Sequence, residues 1–246
     1  LLSAQTVNIF GKKTIKGIVT STPPHLSDDD KKLPKIEDFF IDTGYSKTAL
    51  EKIVSLGDRV SVESFPAELL NGCFSSKAID DRSGVAAILL TLEKLKGKDI
   101  PMKVTALFSA QEETGERGAK TAAFTISPDM AIAVDVSFAL TNDDSEFKCG
   151  KLGKGPMIGI APSLDRKMSD DLINTAKENG ISYQVEIMNG TTGTNADVIG
   201  VTKGGVKAVT VSIPLKYMHT PVEVVDFEDI EKTAELMANF ILGGGK

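Results

Sequence analysis

SGVAAILLTLEKLKG, residues 83–97, and MKVTALFSA, residues 102–110, are consecutive segments that together indicate the fold class. Apolar residues recur at helical spacing in the first segment, which ends at Gly97, so the pattern predicts a helix with a C-terminal stop. The second segment is a continuous apolar run between turns, and it predicts a strand that is covered on both faces. A helix followed by a buried strand is typical of an α/β layer.

The alternation of helix and strand continues to the C-terminus. Helices are predicted at residues 117–124, 169–180, 196–205 and 227–242, and strands at residues 129–136, 156–161, 182–188 and 207–213. Residues 68–246 are therefore predicted to form an α/β domain, with a mainly parallel sheet and flanking helices.

Residues 1–67 follow a different pattern, with short β-branched segments and turn signals. Strands are predicted at residues 6–10, 15–21, 37–44 and 58–64. The only helical pattern here is at residues 46–56, so this region is predicted to be a small β-rich accessory domain.

Composition limits the class of function. The 246 residues are 41% apolar and 25% charged, which is ordinary for a globular protein. A net charge of -6 and the lack of a basic stripe argue against a nucleic-acid partner. No apolar run reaches the length of a membrane span. Two cysteines, with no disulfide framework, favour a reducing, cytoplasmic location.

Several acidic or imidazole side chains follow predicted strands. Glu112 and Glu113 come after the run at 102–110, Asp135 closes AIAVD, and His219 follows AVTVSIPLKYM. Ligands of α/β sheets bind just beyond the carboxyl ends of the strands. Asp80 and Asp81 lie instead before the helix at 83–97.

These residue types are the ligands of a hydrolytic zinc or cobalt site, in which two metals can share a carboxylate. Neighbouring carboxylates repel each other unless a cation or a proton lies between them. One of two adjacent glutamates can bind a metal while the other takes a proton from water, as a general base. Each residue alone also has a structural interpretation, such as a solvated turn or a helix N-cap. Their joint placement at one sheet edge favours the metal site.

Five motifs in a fixed order carry a resemblance to a known family: SKAIDDRSG, SAQEETGERGA, AVDVS, KLGKGP and IPLKYMHTP. The set resembles the glutamyl-aminopeptidase and deblocking-aminopeptidase family of dinuclear metallopeptidases, some of which were once named endoglucanases. Residues 1–67 are similar to the dimerisation domain of that family. A glycosidase role has little support, because adjacent glutamates are poorly placed to flank a sugar and the chain has no Trp and only three Tyr.

The resemblance implies two divalent ions, Zn²⁺ or Co²⁺, and assigns a role to each candidate residue. Asp80 would bridge both ions, with Asp81 following at a cis peptide. Glu113 and His219 would bind one ion with Asp80, and Asp135 would bind the other. Glu112 would be the general base. The resemblance also implies peptide substrates and a homo-oligomer, either a dimer or a tetrahedral dodecamer.

The sequence departs from the family pattern at three points. The remaining metal ligand of the family, an upstream histidine, has no match here, and His25 is not a substitute. The chain begins without Met, so we expect that the N-terminal strand and helix of the catalytic domain are missing. The fragment is then expected to be weakly active or inactive and to bind at most one metal tightly. Phe138 and Asn195 replace a histidine and an aspartate of many relatives.

The leading interpretation is a metal-dependent aminopeptidase that removes N-terminal residues from peptides. One alternative is a related deacylase or carboxypeptidase that uses the same metal pair. Another is a non-catalytic assembly subunit that keeps the fold.

Overall fold

The computed structural model describes residues 2–23, 34–142, 144 and 148–245, and His25 lies outside them. The chain divides into two compact units, Leu1–Phe65 and Pro66–Lys246. The division lies two residues before the boundary predicted from the sequence. Among the described helices, none has the length and apolar character that crossing a bilayer requires.

The first unit contains four strands: β1 (Thr6–Phe10), β2 (Thr14–Ser21), β3 (Phe39–Asp42) and β4 (Arg59–Val62). They form an antiparallel sheet in the order β3-β2-β1-β4. Burial alternates along β2, as expected for a strand with one covered face. The core consists of Val7, Ile9, Ile15 and Val19. The predicted β-rich unit is therefore present, and the helical pattern shortens to α1 (Lys47–Leu50).

The second unit alternates strands and helices. Its strands are β5 (Ala67–Glu68), β6 (Cys73–Ser76), β7 (Met130–Phe138), β8 (Met157–Ile160), β9 (Gln184–Ile187), β10 (Lys207–Lys216) and β11 (Glu223–Asp226). Its helices are α2 (Ile79–Leu95), α3 (Arg117–Ile126), α4 (Arg166–Glu178), α5 (Asn195–Gly200) and α6 (Phe227–Leu242). The α/β class with flanking helices is confirmed.

The seven strands form one sheet in the order β5-β6-β11-β10-β8-β9, with β7 paired to β10. The β7–β10 ladder is parallel over nine residues and places Asp135 beside Ser212. The β8–β9 ladder is also parallel, but the other ladders are antiparallel. The sheet is thus mixed rather than mainly parallel. One reason is the short connection between β10 and β11, which is too short for the crossover that parallel neighbours need.

The core of the second unit surrounds β10, which is buried from Ala208 to Leu215. Val209 and Val211 belong to a cluster with Leu236 and Phe240 of α6. Ile213 and Leu215 belong to a second cluster, to which Ile79 and Ala87 of α2 and Met237 of α6 contribute. Helix α6 therefore contributes to both clusters, and β10 is the strand around which the unit is organised.

The strand predicted at residues 102–110 is not assigned in the structure. Exposed and half-buried residues alternate along this segment, and Phe108 is 50% exposed, so it is not covered on both faces. A strand needs a hydrogen-bonded neighbour, and among the described strands β7 pairs only with β10. The segment thus has the composition of a buried strand, but it forms no ladder with another described strand.

Candidate metal centre

Asp80 lies where β6 passes into α2. Ala78, the residue before the helix, is left-handed with a φ of 53°, and both Asp80 and Asp81 have non-helical dihedral angles. The peptide bond between the two aspartates is cis, as the family resemblance implies. The carboxylate of Asp80 is only 10% exposed. This connection presents two acids at the start of the helix.

Glu112 and Glu113 lie in the turn that leads into α3. Gln111 has a left-handed φ of 59°, and the backbone N–H groups of Gly115 and Glu116 both donate to the carbonyl of Glu112. The N–H of Gly118 donates to the carbonyl of Ala110 at 2.9 Å, which fixes the turn against the first turn of α3. The turn is therefore held by its own backbone, and its two acidic side chains are left available.

His219 follows β10 by three residues, in the connection to β11. Tyr217 and His219 are both left-handed, with φ of 59° and 61°. The hydroxyl of Thr220 donates to the carbonyl of Tyr217 at 2.6 Å, which closes the turn. The side chain of His219 is 64% exposed.

The structure brings together three of the four predicted ligands. His219 Nε2 lies 3.0 Å from Asp80 Oδ2 and 3.7 Å from Glu113 Oε2. One ligand atom of each residue lies within 4.8 Å of the others. Two carboxylate oxygens and one imidazole nitrogen are a donor set that suits Zn²⁺, and three protein ligands leave the open position of a catalytic site. These three residues therefore fit a single divalent ion.

Access to this group is one-sided. Glu113 is 60% exposed while Asp80 is nearly buried. The group is therefore open on the side of Glu113 and His219 and closed on the side of Asp80.

Asp135 does not join the three residues. The prediction placed it at the end of a strand, but three residues of β7 follow it, and its Oδ1 accepts from the N–H of Val136 at 2.8 Å. It is close enough to influence Asp81, whose pKa is raised to about 8 by burial and then by the charge of Asp135. Asp80 and Asp135 alone offer a second ion two carboxylates, which is fewer ligands than a structural or catalytic zinc site has.

Burial, followed by repulsion between neighbouring carboxylates, raises the pKa of Asp80, Glu112 and Asp135. Burial, followed by the charge of Glu113, raises the pKa of Asp80, and His219 partly offsets this. Burial raises the pKa of Asp135 to about 7 despite the hydrogen bond from Val136. Burial and the charge of Glu113 also raise the pKa of Glu112. A bound dication has the opposite effect, since it favours the charged form of each acid.

Two further acids near the site were not predicted from the sequence. Glu223 is 2% exposed and accepts hydrogen bonds from backbone N–H groups on both sides of the site. Glu186 accepts from the hydroxyls of Ser137, on the same strand as Asp135, and of Ser212, on the neighbouring strand β10. Glu223 follows His219 by only four residues. Its position just beyond a candidate ligand is the one feature of the sequence that could have indicated its role.

The two departures from the family pattern lie on β7 and α5. Phe138 ends β7 and is 60% exposed. Asn195 begins α5, and its amide donates to Ser109 Oγ at 3.1 Å. Its buried Oδ1 has no partner among the residues that the structure describes.

Fold and donor set together define an α/β protein with a candidate hydrolytic metal centre. The comparison with protein families is more specific. The chain belongs to the peptidase M42 family, since the family model described as M42 glutamyl aminopeptidase matches residues 1–236.

Individual relatives agree with this family. The lysyl aminopeptidase of Pyrococcus furiosus is 33% identical over 243 residues, which cover 96% of this chain and 69% of that protein. The structure of the TET aminopeptidase from Thaumarchaeota archaeon SCGC AB-539-E09 matches with a TM-score of 0.91 at 30% identity, over 100% of this chain and 74% of the other.

A second solved structure concerns assembly. The TET1 peptidase of Pyrococcus horikoshii, described as able to form a tetrahedron or a large octahedral shell, matches with a TM-score of 0.80 at 31% identity. That match covers 98% of this chain and 72% of the other. The chain spans 64% and 69% of the length of two curated relatives.

Proposed function

We propose that this chain carries the catalytic unit of a metal-dependent aminopeptidase that hydrolyses the first peptide bond of peptides. The observation that carries the proposal is the convergence of Asp80, Glu113 and His219 from three separate connections of the α/β unit. Membership of the M42 family and the aminopeptidase names of its relatives support the reaction class.

The residues divide the work between binding and proton transfer. Asp80, Glu113 and His219 would hold one divalent ion, Zn²⁺ or Co²⁺, through their oxygen and nitrogen atoms. Such an ion supplies Lewis-acid chemistry, since it polarises a carbonyl and lowers the pKa of water. Glu112 adjoins a ligand but lies outside the group of three, so it is free to take the proton of the attacking water and to deliver it to the leaving amine nitrogen.

Asp135 would serve a second ion together with Asp80. The described residues supply this ion with two carboxylates only, so we expect it to bind weakly. One tightly held ion per chain is the expected stoichiometry. Metal analysis of the chain after dialysis against zinc measures it, and two tightly held ions would contradict this part of the proposal.

Substrate comparison tests the reaction class. The zinc- or cobalt-loaded chain is incubated with aminoacyl nitroanilides and, separately, with N-acylated amino acids. We expect slow cleavage of the anilides, whose free amine resembles a peptide N-terminus, because one metal ligand of the family has no match in this chain. Turnover of acylated substrates alone would favour the deacylase or carboxypeptidase alternative. A chain that neither binds zinc nor turns over either substrate would favour a non-catalytic subunit.

Assembly through residues 1–67 is part of the same proposal. The relatives that form closed shells support a homo-oligomer, with a dimer as its smallest form. Light scattering on the chain and on a variant that lacks this unit tests the role of these residues.

The free thiols of Cys73 and Cys149 support the proposed cytoplasmic location.

A further inference from the structure

A buried carboxylate joins the two segments that carry Asp80 and His219. Glu223 is the first residue of β11 and is 2% exposed. Its Oε2 accepts from the backbone N–H of Ile79 at 2.7 Å and from that of Asp80 at 3.2 Å. Its Oε1 accepts from the backbone N–H of His219 at 2.8 Å. One side chain thus contacts the backbone of two candidate ligands that are far apart in sequence.

All three contacts to Glu223 come from N–H donors. A carboxylate has only acceptor sites, so it suits this environment fully. Its oxygens are occupied by these bonds, and Glu223 is absent from the group of residues that could hold a metal among those described. Glu223 therefore binds the backbone of the two segments and does not act as a metal ligand.

The two segments need such support because of their conformation. Ala78 and His219 are both left-handed residues with a Cβ, and this conformation is sterically unfavourable for a residue other than glycine. The β6–β11 ladder brings Glu223 opposite Ser76, three residues before Ile79. The sheet thus places the Glu223 carboxylate close to both irregular segments. Its hydrogen bonds to their N–H groups involve an ionised acceptor, and such bonds are among the stronger kinds.

We infer that Glu223 is a positioning residue of the metal centre, which sets the 3.0 Å approach of His219 Nε2 to Asp80 Oδ2 by holding both backbones. This inference rests on the proposed metal site. It goes beyond that site because it assigns the preorganisation of the ligands to one side chain outside the ligand group. Groups that orient metal ligands typically change metal affinity by about 10–100-fold when they are altered.

The test compares Glu223→Gln with a matched control. The glutamine is nearly isosteric but carries an amide that faces an N–H, so one of the two anchors is lost. Asp229→Asn is the control, because Asp229 is also buried and also accepts two backbone N–H bonds, from Gly153 and Gly155. These bonds hold a different loop and do not involve Asp80 or His219.

Two quantities are measured for each variant: the zinc dissociation constant, by competition with a chelating indicator, and the unfolding free energy of the metal-free protein. We expect Glu223→Gln to raise the dissociation constant about 10–100-fold, whereas Asp229→Asn changes it by less than about threefold. A purely structural role for Glu223 would lower stability in both variants and leave zinc affinity unchanged, and that result would overturn the inference.

Two further outcomes are distinguishable. If Glu223→Gln does not fold, Glu223→Asp replaces it, since aspartate keeps the carboxylate but shortens its reach by one methylene, and the same rise in dissociation constant is expected. If the wild type shows no zinc affinity and His219→Ala changes nothing, the metal site itself is wrong and the inference fails with it. If the wild type binds zinc and both Glu223 variants bind equally well, only the role of Glu223 is wrong.

Discussion

Adjacent residues can have separate tasks when only one of them lies in the ligand group. Glu113 Oε2 is 3.7 Å from His219 Nε2, whereas Glu112 lies outside the group. The two side chains have the same chemistry, so their positions alone separate binding from proton transfer. Conservative substitution of each glutamate can therefore separate the two tasks.

We predict that Glu112→Gln lowers kcat by about 10²–10⁴-fold, the usual contribution of a general base, and leaves zinc content unchanged. Glu113→Gln should instead lower zinc affinity by at least about tenfold, since even residues that only orient ligands have effects of this size. Metal analysis and initial rates on aminoacyl nitroanilides provide the two readouts. Full turnover by Glu112→Gln would show that another group takes the proton.

The ionisation of Asp229 makes the stability of the folded protein depend on pH. Burial raises its pKa to about 6, and the hydrogen bonds from Gly153 and Gly155 offset this only in part. An aspartate in an unfolded chain has a pKa near 4, so at pH values between about 4 and 6 the folded protein binds the extra proton. The free energy of unfolding therefore falls as the pH rises through this range, by up to about 3 kcal/mol.

The measurement is urea denaturation of the wild type and of Asp229→Asn from pH 4 to pH 7. The wild-type stability relative to the variant should decrease as the pH rises to about 6 and should then be constant. A constant difference over the whole range, or one that increases with pH, would mean that Asp229 is ionised in the folded protein throughout.

The sequence allowed prediction of residues whose side-chain chemistry is distinctive, such as Asp80, Glu113 and His219. Glu223 was not predicted because its partners are backbone N–H groups, one of them 144 residues away in sequence. Such contacts leave no local pattern. Asp135 was predicted to close a strand, but β7 continues to Phe138, and this length is set by the ladder with β10. Its role as a metal ligand stays a prediction.

At the scale of elements, α3 controls the turn that carries the two glutamates. A Cβ at Gly118 would lie 2.4 Å from the carbonyl oxygen of Ala110 and 2.5 Å from its nitrogen. Both atoms belong to the backbone, so the turn itself must move to admit a side chain. The close approach of α3 to this turn therefore requires glycine.

We predict that Gly118→Ala lowers the free energy of unfolding by about 1–3 kcal/mol, the usual cost of overpacking, and also weakens zinc binding because it displaces Glu113. Gly200→Ala is the control, since its added Cβ meets its nearest neighbours at 3.9 Å, and its effect should stay within about 0.5 kcal/mol. Urea denaturation and zinc titration measure both effects. Unchanged zinc affinity in Gly118→Ala would show that α3 does not position the turn.

Helices and long apolar strands were predictable because their periodicity extends over many residues, as in α2, α6 and β10. The strands β6 and β11 have four residues each and mixed polarity, so their pattern is too short to distinguish from a loop. The error at residues 102–110 has a different origin. Composition indicates how well a segment suits a strand, but a strand also needs a neighbouring strand that forms a ladder with it.

At the scale of the whole molecule, stability of the second unit depends on the packing of α6 against β10 and α2. Leu236 is completely buried in the cluster that contains Val209 and Val211. We predict that Leu236→Ala lowers the free energy of unfolding by about 2–5 kcal/mol, because it leaves a cavity. The control is Leu89→Ala on α2, where the side chain is 54% exposed and less apolar area is lost. Equal losses in urea denaturation would contradict this description of the core.

The central claim is that Asp80, Glu113 and His219 together bind one divalent ion. Anomalous diffraction from zinc-soaked crystals, measured above and below the zinc absorption edge, tests it most directly. We expect a peak at about 2.0–2.2 Å from an oxygen of each carboxylate and from Nε2 of the histidine. Crystals that show zinc elsewhere, or none at these three side chains, would contradict it.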